Sequence, residues 1–211
     1  MGIFEEEREL TVMLLIDVSG SLDFGTSGQL KRECATEIAA TLAFSAIQNN
    51  DKIGVIFFSD HIEKYIAPKK GRKHILYLIR EMLTFTPNSK RTDVGVSLEY
   101  LNKVMKRRCT AFVISDFYTC KDFSQELRIA NKKHDVVAIQ VYDPRAKEMP
   151  DVGLMKVVDA ETGHEMYIDT HDARLRKVHN KYWEEREMRL HETLSQSHVD
   201  SVAIATDDDY V

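Results

Sequence analysis

Five oxygen-bearing side chains in this sequence could act together: Asp17, Ser19 and Ser21 in Asp17-Val18-Ser19-Gly20-Ser21, then Thr92, then Asp116. The first three alternate with Val18 and Gly20 directly after the apolar run Leu10–Ile16. Thr92 precedes a helix, and Asp116 follows the apolar segment Ala111–Ser115. Two carboxylates and three hydroxyls make a hard, all-oxygen donor set. Such a set suits Mg²⁺ or Mn²⁺, and less readily Ca²⁺, rather than zinc, which prefers nitrogen and sulfur. Two carboxylates neutralise a divalent cation, and hydroxyls are weak ligands that leave it electrophilic, with a position open to water or an outside carboxylate. Taken alone, Asp17-Val18-Ser19-Gly20-Ser21 reads equally well as a turn built from turn-forming residues. The site exists only if the strands ending at Ile16 and Ser115 are neighbours.

The elements needed to bring these residues together are legible in order. Leu10–Ile16 reads as a strand buried on both faces. Leu22–Gly28 is a glycine-containing loop, and Gln29–Gln48 a helix with Leu30, Cys34, Ile38 and Leu42 at four-residue spacing. Ala35, Ala39, Ala43 and Phe44 widen the apolar face of that helix. Lys52–Ser59 is a second apolar strand, and Ile62, Lys64 and Ile66 begin an edge strand that runs to Pro68. Ile75, Leu78, Ile79 and Met82 mark a helix behind the basic run Lys69–His74, which reads as a solvated helix start ahead of the alternative, an anion- or partner-docking patch. Thr84–Arg91 is a polar loop. Asp93 is a candidate N-cap for a helix bearing Val94, Leu98, Leu101 and Met105 on one face.

Beyond the Ala111–Ser115 strand, Asp122–Lys133 reads as a helix and Val136–Tyr142 as a strand. Leu154–Asp159 and Glu165–Ile168 flank a hairpin turn at Ala160–Gly163. A long charged helix spans about Asp172 to Leu194, and Val199–Ala205 closes as a strand. Strands alternating with helices predict an α/β fold, Rossmann-like and doubly wound, with a mostly parallel central sheet flanked by helices. Ligands of such sheets bind at the carboxyl ends of the strands, where the five residues fall.

Bulk properties narrow the function classes. The 211 residues are 43% hydrophobic and 30% charged, with a net charge of −5 and interleaved signs. That balance recommends no nucleic acid as partner. No apolar run approaches the roughly 20 residues that span a bilayer, and Met1–Leu10 lacks the pattern of a signal peptide. Cys34, Cys109 and Cys120 form no CxxC pair and are odd in number, which fits a reducing, cytoplasmic compartment, and Cys34 and Cys109 lie in apolar segments and read as small core residues. Five of the eight histidines (His164, His171, His179, His191 and His198) fall in the last quarter without an HxxxH or HxH pair, so no zinc site is expected. Trp183 and Tyr182 read as packing residues.

With these residues in place, Asp17-x-Ser19-x-Ser21, Thr92 and Asp116 resemble the metal ion-dependent adhesion site (MIDAS) of von Willebrand factor A (vWA) domains. The resemblance runs from about Leu10 to Ala205. FFSDHIEKYIAPKKGRKHILYLIREML, RTDVGVSLEYL and RRCTAFVISDF resemble, more narrowly, a bacterial branch of unknown function whose members are encoded beside MoxR-type AAA+ ATPases. The resemblance implies a vWA fold and a divalent cation at the sheet top. It also implies that Asp17, Ser19, Ser21, Thr92 and Asp116 are ligands, directly or through water. It implies one vWA-like domain over residues 1–211, with a core of about 10–205, in a piece of a longer protein. Leu22–Gly28 departs from adhesion-type members in being longer and richer in glycine.

The expected function is metal-dependent capture of a protein partner, with no enzymatic activity. A partner Asp or Glu would complete the metal shell, with Leu22–Gly28, Thr84–Arg91 and Phe117–Lys121 as the contact surface. A MoxR-type ATPase is the partner implied by the resemblance alone. Two alternatives stand beside it: a Mg²⁺-dependent phosphotransfer enzyme using Asp17, and a structural module with an empty metal site. Against the first, the usual two-aspartate motif would need an acid where Ser19 stands. Gly20 and Gly25 have P-loop spacing, but Thr26 and Ser27 follow where Lys and Ser/Thr are required. A serine hydrolase motif fails because Asp17 occupies a glycine position.

Overall fold

The structure is a computed structural model and describes residues 10–23, 31–119, 121–159 and 164–207. Strand β1 (Thr11–Asp17) lies at the centre of a six-stranded sheet. On one side it pairs in parallel with β2 (Lys52–Phe58), which in turn pairs antiparallel with the edge strand β3 (Ile62–Lys69). On the other side lie β4 (Thr110–Ser115), β5 (Asp135–Tyr142) and β8 (Asp200–Ala205), all parallel. The order β3-β2-β1-β4-β5-β8 reverses direction at β1 and β4, as the doubly wound expectation requires. A separate hairpin joins β6 (Leu154–Val158) to β7 (Glu165–Asp169), and its turn, Ala160–Gly163, lies outside the described residues.

Alternation along β1 explains why it is apolar throughout. Met13 and Leu15 enter the core on one face with α3 (Val94–Val104), α4 (Ser124–Lys133) and the end of α6 (Ala173–Gln196). Leu14 and Ile16 enter the opposite core with α1 (Lys31–Gln48) and α2 (Arg72–Thr84). A strand covered on both faces needs no polar alternation.

Small residues let α1 lie close to the sheet: Cys34, Ala35, Ala39, Ala43 and Ala46 are all buried. Phe44, expected on that face, is instead 49% exposed, because the buried stripe is narrow and Phe44 falls beside it. Leu30, also expected there, lies outside the described residues. Cys34 and Cys109 are buried core residues, and burial pushes the Cys109 thiol up to about 11. Cys120 lies outside the described residues.

Asp93 caps α3 as expected, accepting from the Val96 amide at 3.3 Å. Two short elements were not expected: a 3-10 turn at Gly20–Asp23, and α5 (Pro144–Lys147), which Asp143 caps by accepting from the Arg145 amide. Among the described residues no helix is long and apolar enough to cross a membrane.

Candidate functional site

The register of β1 on β4 pairs Leu15 with Val113 and Ile16 with Ile114, so the next residues, Asp17 and Ser115, emerge side by side at the carboxyl end of the sheet. Both share the face of Met13, Leu15, Ala111 and Val113 by period-two alternation. The Ser115 hydroxyl donates to Asp17 Oδ2 at 2.5 Å, and the Ser19 amide donates to Asp17 Oδ1 at 2.9 Å. Both oxygens of the buried Asp17 carboxylate are thereby aimed before any ligand arrives.

The 3-10 turn carries Ser21 back over the strand end. Its hydroxyl lies 3.1 Å from the Ser19 hydroxyl and donates to Asp116 Oδ1 at 3.2 Å. Thr92 completes the set from the other side, donating to the Ser19 hydroxyl at 2.7 Å. A continuous chain of oxygens thus runs Thr92–Ser19–Ser21–Asp116, with Asp17 beneath it. The structure brings together all five residues singled out in the sequence, and all five are buried.

Several groups hold this arrangement. Lys90 accepts from the Gly20 amide through its carbonyl at 2.9 Å, tying the 84–91 loop to the 3-10 turn. Glu63 on the edge strand anchors that loop from behind. Its carboxylate, with a side chain 0% exposed, accepts from Ser59 Oγ at 2.8 Å, the Asn88 amide at 3.0 Å and the Ser89 amide at 3.1 Å. Burial alone would raise this carboxyl, yet the bonds from Ser59, Asn88 and Ser89 hold it below its ordinary value.

Phe117, directly after Asp116, adopts φ 53° in the left-handed region and packs its ring against Phe123. A bulky residue is strained there, and such strain persists only where surrounding structure fixes it. Here the fixing bonds are the Phe117 amide to Ser115 Oγ at 2.8 Å and the Tyr118 amide to Asp116 Oδ1 at 2.9 Å.

Charge at the site is unbalanced. Burial, and then the neighbouring Asp116 charge, push Asp17 up to about 7 from 3.8, against the lowering effect of the Ser115 and Ser19 bonds. Lys31 of α1 places its ammonium 2.5 Å from Asp116 Oδ2. Arg186 of α6 donates to the Asp116 carbonyl at 3.0 Å, its guanidinium stacked 4.4 Å from the Tyr118 ring and 4.8 Å from the Trp183 ring. Trp183 therefore packs as expected, and what it packs is a cation that braces the site.

Lys31, Glu63, Ser115 and Arg186 were not singled out in the sequence. Ser115 had a signal, since it shares the parity of Asp17 once β1 and β4 are aligned. The others act through tertiary contacts that no spacing encodes.

The residues fit a hard divalent cation in kind: two carboxylates and three hydroxyls converge in one buried cluster, where burial and then the neighbouring Asp116 charge raise Asp17. Among the described residues no three or more His, Cys, Asp and Glu side chains converge to hold a metal, so the hydroxyls are an essential part of any such site. Of the three expected contact loops, residues 24–28 and Cys120 lie outside the described residues. The 84–91 loop and Phe117–Thr119 stand where expected, around the cluster.

The same fold occurs in BatB of Bacteroides thetaiotaomicron, with TM-score 0.64 and 15% identity over 93% of this chain and 90% of that one. An aerotolerance-related membrane protein of Bacteroides fragilis is similar at TM-score 0.65 and 14% identity, over 93% of this chain and 92% of that one. Proximal thread matrix protein 1 of the mussel byssus, solved with a zinc-occupied MIDAS motif, matches at TM-score 0.50 and 15% identity over 63% of this chain and 38% of that one. In sequence, an uncharacterised protein of Mycobacterium bovis is 35% identical over 159 residues, covering 74% of this chain and 50% of that protein. An uncharacterised protein of Mycobacterium tuberculosis matches to the same extent. The chain spans about half the length of the curated relatives it matches. The family described as "Protein of unknown function DUF58" matches residues 2–189, and the chain belongs to it.

Proposed function

We propose that the chain is a vWA-type, divalent-metal-dependent protein-binding module. Asp17, Ser19, Ser21, Thr92 and Asp116 would hold Mg²⁺ or Mn²⁺, and an Asp or Glu of a partner protein would complete the set. When bound, the cation supplies a Lewis-acidic position for an anionic oxygen. The chain's own residues do the rest: Ser115 and the Ser19 amide orient Asp17, the Glu63-anchored loop presents Thr92, and Arg186 braces Asp116. The observation that carries this reading is the hydroxyl chain Thr92–Ser19–Ser21–Asp116, which joins residues from three separate segments at one sheet end.

Ser19 stands where the usual two-aspartate phosphotransfer motif needs an acid, which favours a binding role for Asp17. A phosphatase screen is expected to show no turnover that Asp17→Asn removes. A MoxR-type AAA+ ATPase is the partner that the family resemblance nominates. Affinity capture with the full-length protein tests the reading: partner retention is expected with Mg²⁺ and lost with EDTA or with Asp17→Ala. Retention indifferent to both would contradict it.

A further inference from the structure

Asp116 faces two claims on one carboxylate. Its Oδ1 accepts from Ser21 and from the Tyr118 amide, both within the site's own framework. Its Oδ2 faces Lys31, whose ammonium stands 2.5 Å away on a side chain only 12% exposed, against 6% for Asp116. An ammonium is a compact point charge on a flexible four-carbon stem, able to swing away without backbone movement. Lys31 is the first described residue of α1, and its ammonium reaches the cluster at the sheet's carboxyl end.

We propose that Lys31 is a built-in counter-ion that competes with the divalent cation for Asp116 and so sets the affinity of the site. The inference rests on the metal-binding reading of this cluster. Lys31 provides the one positive charge placed on either carboxylate's oxygens among the described residues; Arg186 reaches the Asp116 carbonyl rather than its carboxylate. It therefore offsets the mutual repulsion of Asp17 and Asp116, and a cation held through the Asp116 carboxylate would have to displace it. Removing the ammonium has opposite consequences in the two conditions. Without divalent metal the two buried carboxylates lose their counter-ion, and with metal the competition ends.

The test is calorimetric titration of MnCl₂ into the full chain, for wild type, Lys31→Met, Lys31→Gln and Lys31→Arg, beside thermal melts in EDTA and in Mn²⁺. Lys31→Met and Lys31→Gln are expected to bind Mn²⁺ at least tenfold more tightly than wild type, and Lys31→Arg to stay near it. The same two variants are expected to melt below wild type in EDTA and to gain more than wild type from Mn²⁺. Equal or weaker Mn²⁺ binding by both variants, with wild type binding and Asp17→Ala not, overturns the competition while leaving the metal site standing. Absence of Mn²⁺ binding in wild type and variants alike overturns the metal reading, and this inference with it.

Discussion

Ser115 donates its hydroxyl to Asp17 Oδ2 at 2.5 Å across 98 residues of sequence, and the bond exists because β1 and β4 are parallel neighbours in matched register. The same hydroxyl accepts the amide of the strained Phe117, so one small side chain fixes both the lower carboxylate and the turn that presents Asp116. Ser115→Ala removes both bonds among buried groups. A loss of about 1–3 kcal/mol in denaturant-derived stability is expected, the range for a hydrogen bond to a charged group and a stranded polar atom. A weaker hold on divalent cation is expected with it, and urea melts with and without Mn²⁺ check both.

Asp17 gives the protein a pH signature. Its carboxyl is raised in the folded state to about 7 from 3.8, by burial first and Asp116 second. A raised group contributes stability that is complete below the unfolded value and is lost as pH rises through the folded one. In EDTA, wild type should therefore lose stability relative to Asp17→Asn between pH 5 and pH 8.5. Divalent cation requires the ionised carboxylate, so its binding should weaken as pH falls through about 7. Denaturation midpoints of the two proteins at both pH values test the sign. A constant difference between them would contradict the burial argument.

Glu63 acts at a distance from the cluster. Its carboxylate collects the Asn88 and Ser89 amides, and the loop it anchors delivers Thr92 and the Lys90 carbonyl to the 3-10 turn. Glu63→Gln keeps the shape and one acceptor for the two amides, but puts an N–H₂ where the other carboxylate oxygen accepts from Asn88 Nδ2 at 2.9 Å. Divalent cation affinity should fall about 10-fold, in keeping with outer partners of metal ligands. Calorimetry measures the affinity, and circular dichroism should show the fold retained.

Arg186 couples α6 to the site through the Asp116 carbonyl and the Tyr118 and Trp183 rings. Arg186→Met should cost about 1–3 kcal/mol, because it takes the Arg186 donor from the carbonyl of the buried Asp116 and dissolves the stack. Trp183 is the chain's single tryptophan, so its fluorescence should change in this variant and report the site directly. Unchanged emission would mean the stack does not hold in solution.

Much of this organisation is readable in the chain itself. The runs Leu10–Ile16 and Ala111–Ser115 announce buried parallel strands because they carry no polar alternation, and Asp17 and Asp116 are conspicuous as the residues that end them. Asp93 is readable as a cap because its neighbours are local. Lys31, Glu63 and Arg186 are not readable, since each looks like an ordinary solvated charge until the fold places it. Phe44 shows the converse failure: composition widened the apolar face of α1, while geometry turned this ring outward. Gly54 is a further residue whose reason is tertiary. A Cβ there would stand 2.7 Å from the Ile66 carbonyl oxygen and 2.8 Å from the Pro68 nitrogen, both backbone atoms of β3. Gly54→Ala should destabilise by about 1–3 kcal/mol, as overpacking does, without altering the cluster's chemistry. Thermal melts, alone and with Mn²⁺, separate the two effects.

The central claim, that Asp17, Ser19, Ser21, Thr92 and Asp116 form one divalent cation site, is tested most directly by titrating MnCl₂ into chelator-stripped protein in a calorimeter. One Mn²⁺ per chain is expected, with binding abolished by Asp17→Ala and sharply weakened by a Ser19→Ala, Ser21→Ala double variant. No saturable heat from the folded wild-type chain, or binding untouched by Asp17→Ala, would contradict it.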